Sequence, residues 1–139
     1  MRYLLCAALC LAALPAQAED ARQPLPVSAD EAAAVKEEMR GFLEGVQRIA
    51  AGIADNDMKS VATAAHELGM AGAKKVPMST RMRFPLPFKE LGQATHTGFD
   101  NLATDAEGLG DPGHSMKQLS EIMQNCNACH ASYRLEEKP

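Results

Sequence analysis

Residues 116–134 of the 139-residue chain read MKQLSEIMQNCNACHASYR. Apolar and sulfur-bearing side chains recur here every three or four residues, the spacing of one face of an α-helix. The pattern predicts a helix from residue 114 to about residue 136. Its inward stripe is expected at Met116, Leu119, Met123, Cys126, His130 and Tyr133. Cys129 lies one turn after Cys126 and beside His130, so two thiols and an imidazole share one side of this helix.

The five residues from Cys126 to His130 form a Cys-x-x-Cys-His motif, which is the attachment signature of a c-type haem. Positions i, i+3 and i+4 of a helix let two thiols reach the two vinyl groups of the macrocycle while the imidazole points at the iron. The sequence therefore predicts one covalent haem c, attached through Cys126 and Cys129 and bound at the iron by His130.

Other uses of these residues stay open at this point. A disulfide between Cys126 and Cys129 would close a loop too short to add much stability. A thioredoxin-like redox pair would need a βαβ setting, which the pattern does not indicate, and a structural zinc site would lack an obvious fourth ligand. A separate copper site is a further alternative, because the thioethers of Met70, Met78 and Met82 suit Cu(I).

The N-terminal eighteen residues predict a cleaved export signal. Arg2 gives a positive start, an apolar run of twelve residues follows, and Ala16-Gln17-Ala18 fits a cleavage site. Twelve residues are fewer than the roughly twenty that span a bilayer, so we expect a periplasmic protein without a membrane anchor. Cleavage removes one of 14 basic and none of 18 acidic residues, which leaves a net charge of −5 and argues against nucleic acid as a partner.

Three more amphipathic helices are predicted upstream, over residues 28–54, 58 to about 72, and 88–106. Ser28 and Glu31 form a capping box at the first, whose apolar residues follow a heptad seam. Residues 19–27 are expected to be extended, and three prolines predict a loop over residues 74–87. The resulting fold class is all-α, an antiparallel four-helix bundle over residues 28–139 that encloses the haem. Its predicted inward residues are Val35, Met39, Phe42, Val46, Ile49, Ile53, Val61, Ala65, Leu68, Phe88, Leu91, Thr95, Phe99, Leu102 and Ala106.

With this motif near the C-terminus, followed by Tyr133-Arg134, the chain resembles the cytochrome c′ family, the class II c-type cytochromes. The resemblance covers the whole mature chain in architecture, and the segment from Phe88 to Phe99 is similar to the third helix of such proteins. It implies thioether bonds from Cys126 and Cys129, His130 as the proximal iron ligand, and Arg134 near the proximal face of the haem.

Only nine residues follow His130, so a protein ligand on the other side of the iron must come from upstream. Met39 lies on the buried stripe of the first helix, where the low-spin members of the family carry a methionine ligand. We therefore expect His130/Met39 ligation, which favours the ferrous state and suits an electron carrier. Phe42 and Met123 are expected to line the haem pocket.

The resemblance thus implies a periplasmic electron-transfer protein, not an enzyme, whose partners are other periplasmic redox proteins. The alternative is a five-coordinate cytochrome c′ that binds NO or CO at an open distal site, with Met39 only packing there. A bis-histidine haem through His96 is a further alternative. Relatives often pair through their first two helices, so a homodimer is an open arrangement. Arg81 and Arg83 are interpreted as a solvated basic patch rather than as partners of the haem propionates.

Overall fold

The computed structural model describes residues 19–73 and 76–138. The export signal predicted for residues 1–18 lies outside this part of the chain. The elements are, in order, β1 (Gln23–Val27), α1 (Ala29–Ala54), α2 (Met58–Leu68), α3 (Met78–Arg83), α4 (Leu86–Leu109), α5 (Pro112–Ser132) and β2 (Tyr133–Glu137). The structure is thus mostly helical, as an all-α bundle requires, with one small pair of strands added to it.

The boundaries of α1 and α2 follow from local capping. The Ser28 hydroxyl accepts a hydrogen bond from the Glu31 backbone N–H, and the Glu31 carboxylate accepts one from the Ser28 N–H at 2.9 Å. After α1, Asn56 adopts a left-handed backbone conformation with φ of 56°, and the Asp57 carboxylate caps α2 by accepting from Ser60 N–H at 3.0 Å. The α2 helix ends at Leu68, earlier than residue 72, because Gly69 leaves the helical conformation.

The predicted loop over residues 74–87, of which residues 74 and 75 lie outside the described residues, is more regular than expected in its described part, residues 76–87. It contains the short helix α3, and α4 already begins at Leu86. The prolines permit both, because Pro85 and Pro87 fall at the N-cap and in the first turn of α4, where a missing N–H costs no helical hydrogen bond. The prolines therefore mark the start of a helix here rather than preventing one.

The expected continuation of the last helix to residue 136 is wrong. α5 ends at Ser132, and the next five residues form β2, which runs parallel to β1 with Leu25 opposite Leu135. The Val27 carbonyl accepts a hydrogen bond from Lys138 N–H at 2.9 Å. The backbone N–H and C=O groups of the odd-numbered residues of β1 therefore point towards β2. Pro24 and Pro26 then lie on the other, open edge, where a residue without an N–H is tolerated.

Two apolar clusters hold these elements together. The first lies among the helices α1, α2, α4 and α5, which pack against one another, and includes Ile49, Val61, Phe99, Leu102 and Ile122. The second lies under the strand pair and includes Leu25, Val27, Val35, Val76 and Phe84. Among residues 19–73 and 76–138, no helix has both the length and the apolar character needed to cross a membrane.

The buried face of α5 differs from its predicted stripe. Ser115, Leu119 and Ile122 are buried, whereas Met116 and Met123 are 45% and 44% exposed. Ile122 is thus the core residue next to the Cys-x-x-Cys-His motif. The observed buried stripe lies about one residue before the predicted stripe at Met116 and Met123. Met123 consequently faces a cavity instead of the packed interior.

Candidate functional site

A cavity of about 500 Å³ lies beside the Cys-x-x-Cys-His motif. This volume falls in the range of small-molecule and cofactor sites in proteins. Side chains of α1, α3, α4 and α5 and of the segment after α2 line it, and most of them are apolar or aromatic. The cavity is therefore suited to a ligand that presents a large apolar surface.

The cavity also collects most of the exposed apolar side chains of the described residues. Of the nine large apolar residues that are exposed there, six line the cavity: Met39, Leu43, Met70, Met78, Met82 and Met123. Soluble proteins rarely expose contiguous apolar patches unless something binds there. Met70, Met78 and Met82, which were considered as a copper site, belong to this group. Their positions are explained equally well if they line a site for an apolar ligand.

Cys126, Cys129 and His130 all line the cavity from α5. Both cysteines are half-buried free thiols, so the alternative of a disulfide between them is not seen. Burial raises the pKa of the Cys126 thiol, and burial together with the nearby Cys126 raises that of Cys129. Both groups are thus protonated thiols at neutral pH, held one helical turn apart at the edge of an apolar space.

The zinc alternative gains no support from the geometry. Among residues 19–73 and 76–138, no three His, Cys, Asp or Glu side chains come together in a group that could hold a metal ion. A thioredoxin-like setting is equally distant, since the described part of the chain contains only the two-stranded pair β1–β2 and no βαβ unit.

The first helix brings Met39 and Phe42 to the same cavity as the cysteines and His130. Met39 is 36% exposed, so its thioether is not confined within the packed interior. The Phe42 ring stacks on Phe99 at 5.8 Å between centroids, which fixes this turn of α1 against α4. The residues predicted as proximal ligand, distal ligand and pocket lining therefore converge on one space.

His96 also reaches this cavity, from α4. Its Nδ1 lies 2.7 Å from the Leu68 carbonyl oxygen, which can only accept, so Nδ1 carries the proton and donates. The Phe42 ring packs against the imidazole with 5.2 Å between centroids. From the sequence, His96 is only an alternative haem ligand, because it sits next to the inward residue Thr95.

The two loop arginines were expected to form one solvated patch, but their surroundings differ: the Arg83 side chain is 52% exposed and ion-paired, and Arg81 lines the cavity. Arg83 donates to the Glu31 carboxylate at 2.7 Å, and the buried Thr80 hydroxyl donates to the same carboxylate at 2.7 Å. Chiefly through Arg83, and also through Ser28 N–H and Thr80, these bonds lower the Glu31 pKa to about 2. Arg81, by contrast, lines the cavity.

Arg134 is not among the residues that line the cavity. Its guanidinium forms an ion pair with Glu136 at 3.2 Å and lies 4.0 Å from the Asp20 carboxylate. The reason is the early end of α5, since beyond Ser132 the chain is extended and residue 134 no longer lies one helical turn after His130. Tyr133 instead packs edge-on against Phe88, with 5.3 Å between ring centroids.

Comparisons with known proteins add no relative to this description. No protein-family model matches the chain, and neither the curated proteins nor the solved structures contain a significant match.

Proposed function

We propose that this protein is a periplasmic electron carrier that holds one haem c, and that it belongs with the low-spin class II c-type cytochromes. One observation carries the proposal: the two thiols and the imidazole of the Cys-x-x-Cys-His motif line a large apolar cavity that Met39 also lines. A motif alone can occur by chance, but a motif that opens onto a cavity of suitable size and character is much more specific.

The donor set of the cavity fits the group. Cys126 and Cys129 would hold it through two thioether bonds, and the imidazole of His130 and the thioether of Met39 would bind the iron. Haem c, when bound, supplies a one-electron couple between ferric and ferrous iron. The free thiols, the soft thioether and the imidazole are the groups that this chemistry needs, and the cavity lining contains all of them.

The remaining residues orient the site and exclude water. Phe42, Phe99 and His96 form a packed aromatic group between α1 and α4, which holds the turn of α1 that carries Met39. The exposed methionines around the cavity lose contact with water when an apolar ligand covers them, at a gain of roughly 25 cal/mol per Å². The protein would thus supply ligands and a dry pocket, and no catalytic step is assigned to its side chains.

The first test is covalent attachment. We expect the chain, produced with an intact haem-attachment system, to keep haem after denaturation and electrophoresis. The variant with Cys126→Ala and Cys129→Ala is expected to lose it, because neither vinyl group then has a thiol partner. Wild-type protein without retained haem would contradict the proposal and leave a haem-free export protein as the alternative.

The second test concerns the distal ligand. Met39→Ala is expected to change a low-spin ferric spectrum to a high-spin one and to abolish the near-infrared band of thioether-to-iron charge transfer. Met116→Ala is the matched control, because Met116 is similarly exposed but does not line the cavity. A high-spin wild type that responds to CO would favour the gas-binding alternative. A Met39→Ala protein that stays low-spin would favour His96, which also lines the cavity.

A further inference from the structure

Arg81 differs from every other arginine in the described residues. Arg22, Arg40, Arg48, Arg83 and Arg134 each form an ion pair with a carboxylate. Arg81 forms none within residues 19–73 and 76–138. The Nε atoms of Arg81 and Arg134 are both buried without a hydrogen-bond partner, but Arg134 is ion-paired. A buried N–H of a charged group that lacks a partner has lost its hydration without a compensating hydrogen bond.

The position of Arg81 is fixed by the rest of α3. The neighbouring residue Thr80 is fully buried and bonds to Glu31, and Arg83 bonds to the same carboxylate from the other side. Phe84, which follows the helix, is also buried and packs edge-on against Phe88. These contacts attach α3 to α1 and α4. They therefore hold the backbone of Arg81 in a fixed position beside the cavity.

The charges that line the cavity give it a cationic side. Arg81 lies on α3 and Lys89 on α4, and both line the same space as the methionines and the Cys-x-x-Cys-His motif. Among the described residues that line the cavity, Glu38 carries the one carboxylate. An apolar cavity with a guanidinium and an ammonium group at its wall suits a ligand that is apolar over most of its surface and carries a carboxylate.

We infer that Arg81 binds a carboxylate of the group held in this cavity, which under the proposed function is a propionate of the haem. A guanidinium can donate two parallel hydrogen bonds to a carboxylate, and such charge-assisted bonds are about twice as strong as neutral ones. The bond provides the orphaned Nε with an acceptor. The inference rests on the proposed function for the identity of the ligand. The observation behind it is an unpaired arginine in the cavity wall, and this observation does not depend on the cysteine motif.

A cation beside a propionate also affects the iron. Positive charge near the ring favours the ferrous state, which carries one positive charge fewer than the ferric state. Loss of Arg81 is therefore expected to shift the reduction potential downwards. Arg81→Lys keeps the charge but not the planar fork, so its potential is expected to lie between those of the wild type and Arg81→Gln.

The experiment compares four holoproteins: wild type, Arg81→Gln, Arg81→Lys and the control Arg48→Gln. The control removes the same charge from α1, where Arg48 pairs with Glu67 and does not line the cavity. Redox titration and the propionate bending modes in the resonance Raman spectrum are measured for each. We expect a lower potential and altered propionate modes in Arg81→Gln, a smaller change in Arg81→Lys, and values near wild type in Arg48→Gln.

The outcomes separate the two proposals. A wild type without covalent haem overturns both the proposed function and the role of Arg81. A wild type with haem whose potential and propionate modes are unchanged in both Arg81 variants overturns the role of Arg81 alone. An equal fall in potential for Arg81→Gln and Arg48→Gln also overturns it, because the effect would then come from net charge. If Arg81→Gln does not accumulate, Arg81→Lys decides by the same two measurements.

Discussion

Replacing Leu25 with alanine tests the strand pair that joins the two ends of the described chain. Leu25 is 2% exposed and packs with Val27, Val35 and Phe84 under β1. The substitution removes three carbon atoms, at about 0.8 kcal/mol for each buried methylene, or about 2.4 kcal/mol for the transfer alone. The space left behind adds to this loss, and measured Leu-to-Ala changes in cores span roughly 2–5 kcal/mol.

The expected loss in free energy of unfolding is about 3 kcal/mol, in the lower half of that range. The reason is that β1 pairs with one strand only, so it can shift inwards and fill part of the space. A domain with roughly 5–15 kcal/mol of stability tolerates this loss, so the variant should remain folded. Leu109→Ala is the matched control. Leu109 is 63% exposed at the end of α4, and its substitution should change stability by no more than about 0.5 kcal/mol.

Urea unfolding of the three proteins, followed by far-ultraviolet circular dichroism at one pH, measures the difference. The midpoint should fall for Leu25→Ala with an unchanged slope, since the surface exposed on unfolding is nearly the same. A loss of less than about 1 kcal/mol at unchanged slope would refute the reasoning, because it would mean that β1 does not bury Leu25 in solution.

Two further predictions concern the helix contacts. Glu31 has a folded pKa of about 2, below its ordinary value of 4.5, so its stabilisation is complete above about pH 4.5 and is lost as the pH falls towards 2. The stability gap between wild type and Glu31→Gln, which removes the charge that pairs with Arg83, should therefore narrow over this range in urea titrations at each pH. A gap that is constant from pH 6 to 2 would contradict this. Gly52→Ala would place a Cβ 2.9 Å from Val61 Cγ2, and we expect a net loss of about 1 kcal/mol, since overpacking costs roughly 1–3 kcal/mol and outweighs the helical preference of alanine. Gly108→Ala, with no neighbouring atom within 4 Å, should instead gain roughly 0.5–1 kcal/mol, and an equal gain at both positions in thermal unfolding would disprove the crowding at Gly52.

The long helices could be predicted from the sequence because their signals are local. The capping box at Ser28 and the apolar repeat of α1 lie within the helix that they specify. β2 could not be predicted in this way. Residues 133–137 follow directly on a helical pattern, and their extended conformation depends on pairing with β1 from the other end of the chain. Local periodicity carries no information about such a partner.

The candidate site likewise contains residues that local sequence identifies and residues whose roles depend on distant contacts. Cys126, Cys129 and His130 are identified by a motif, which is written entirely in neighbouring residues. His96 was only an alternative ligand and Arg81 was interpreted as solvated, because the sequence does not reveal which side chains line the cavity or which atoms lack a partner. Arg134 was expected near the haem from the family resemblance, but α5 ends at Ser132, two residues before it. The predictions for single residues were thus incomplete where they depended on an unknown tertiary contact or on a misplaced helix boundary.

The parallel pairing of β1 with β2 has a consequence for how a growing or damaged chain is handled. Leu25 and Val27 are synthesised long before the strand that covers them, which comes from residues 133–137. Closing so long a loop is slow and is rewarded only at the end of folding. Loss of residues 133–137 by truncation or by a proteolytic cut would leave β1 with an open edge on both sides and its apolar residues accessible to proteases. Residues 133–137, just beyond the cysteine motif, must therefore be intact if β1 is to be protected from degradation.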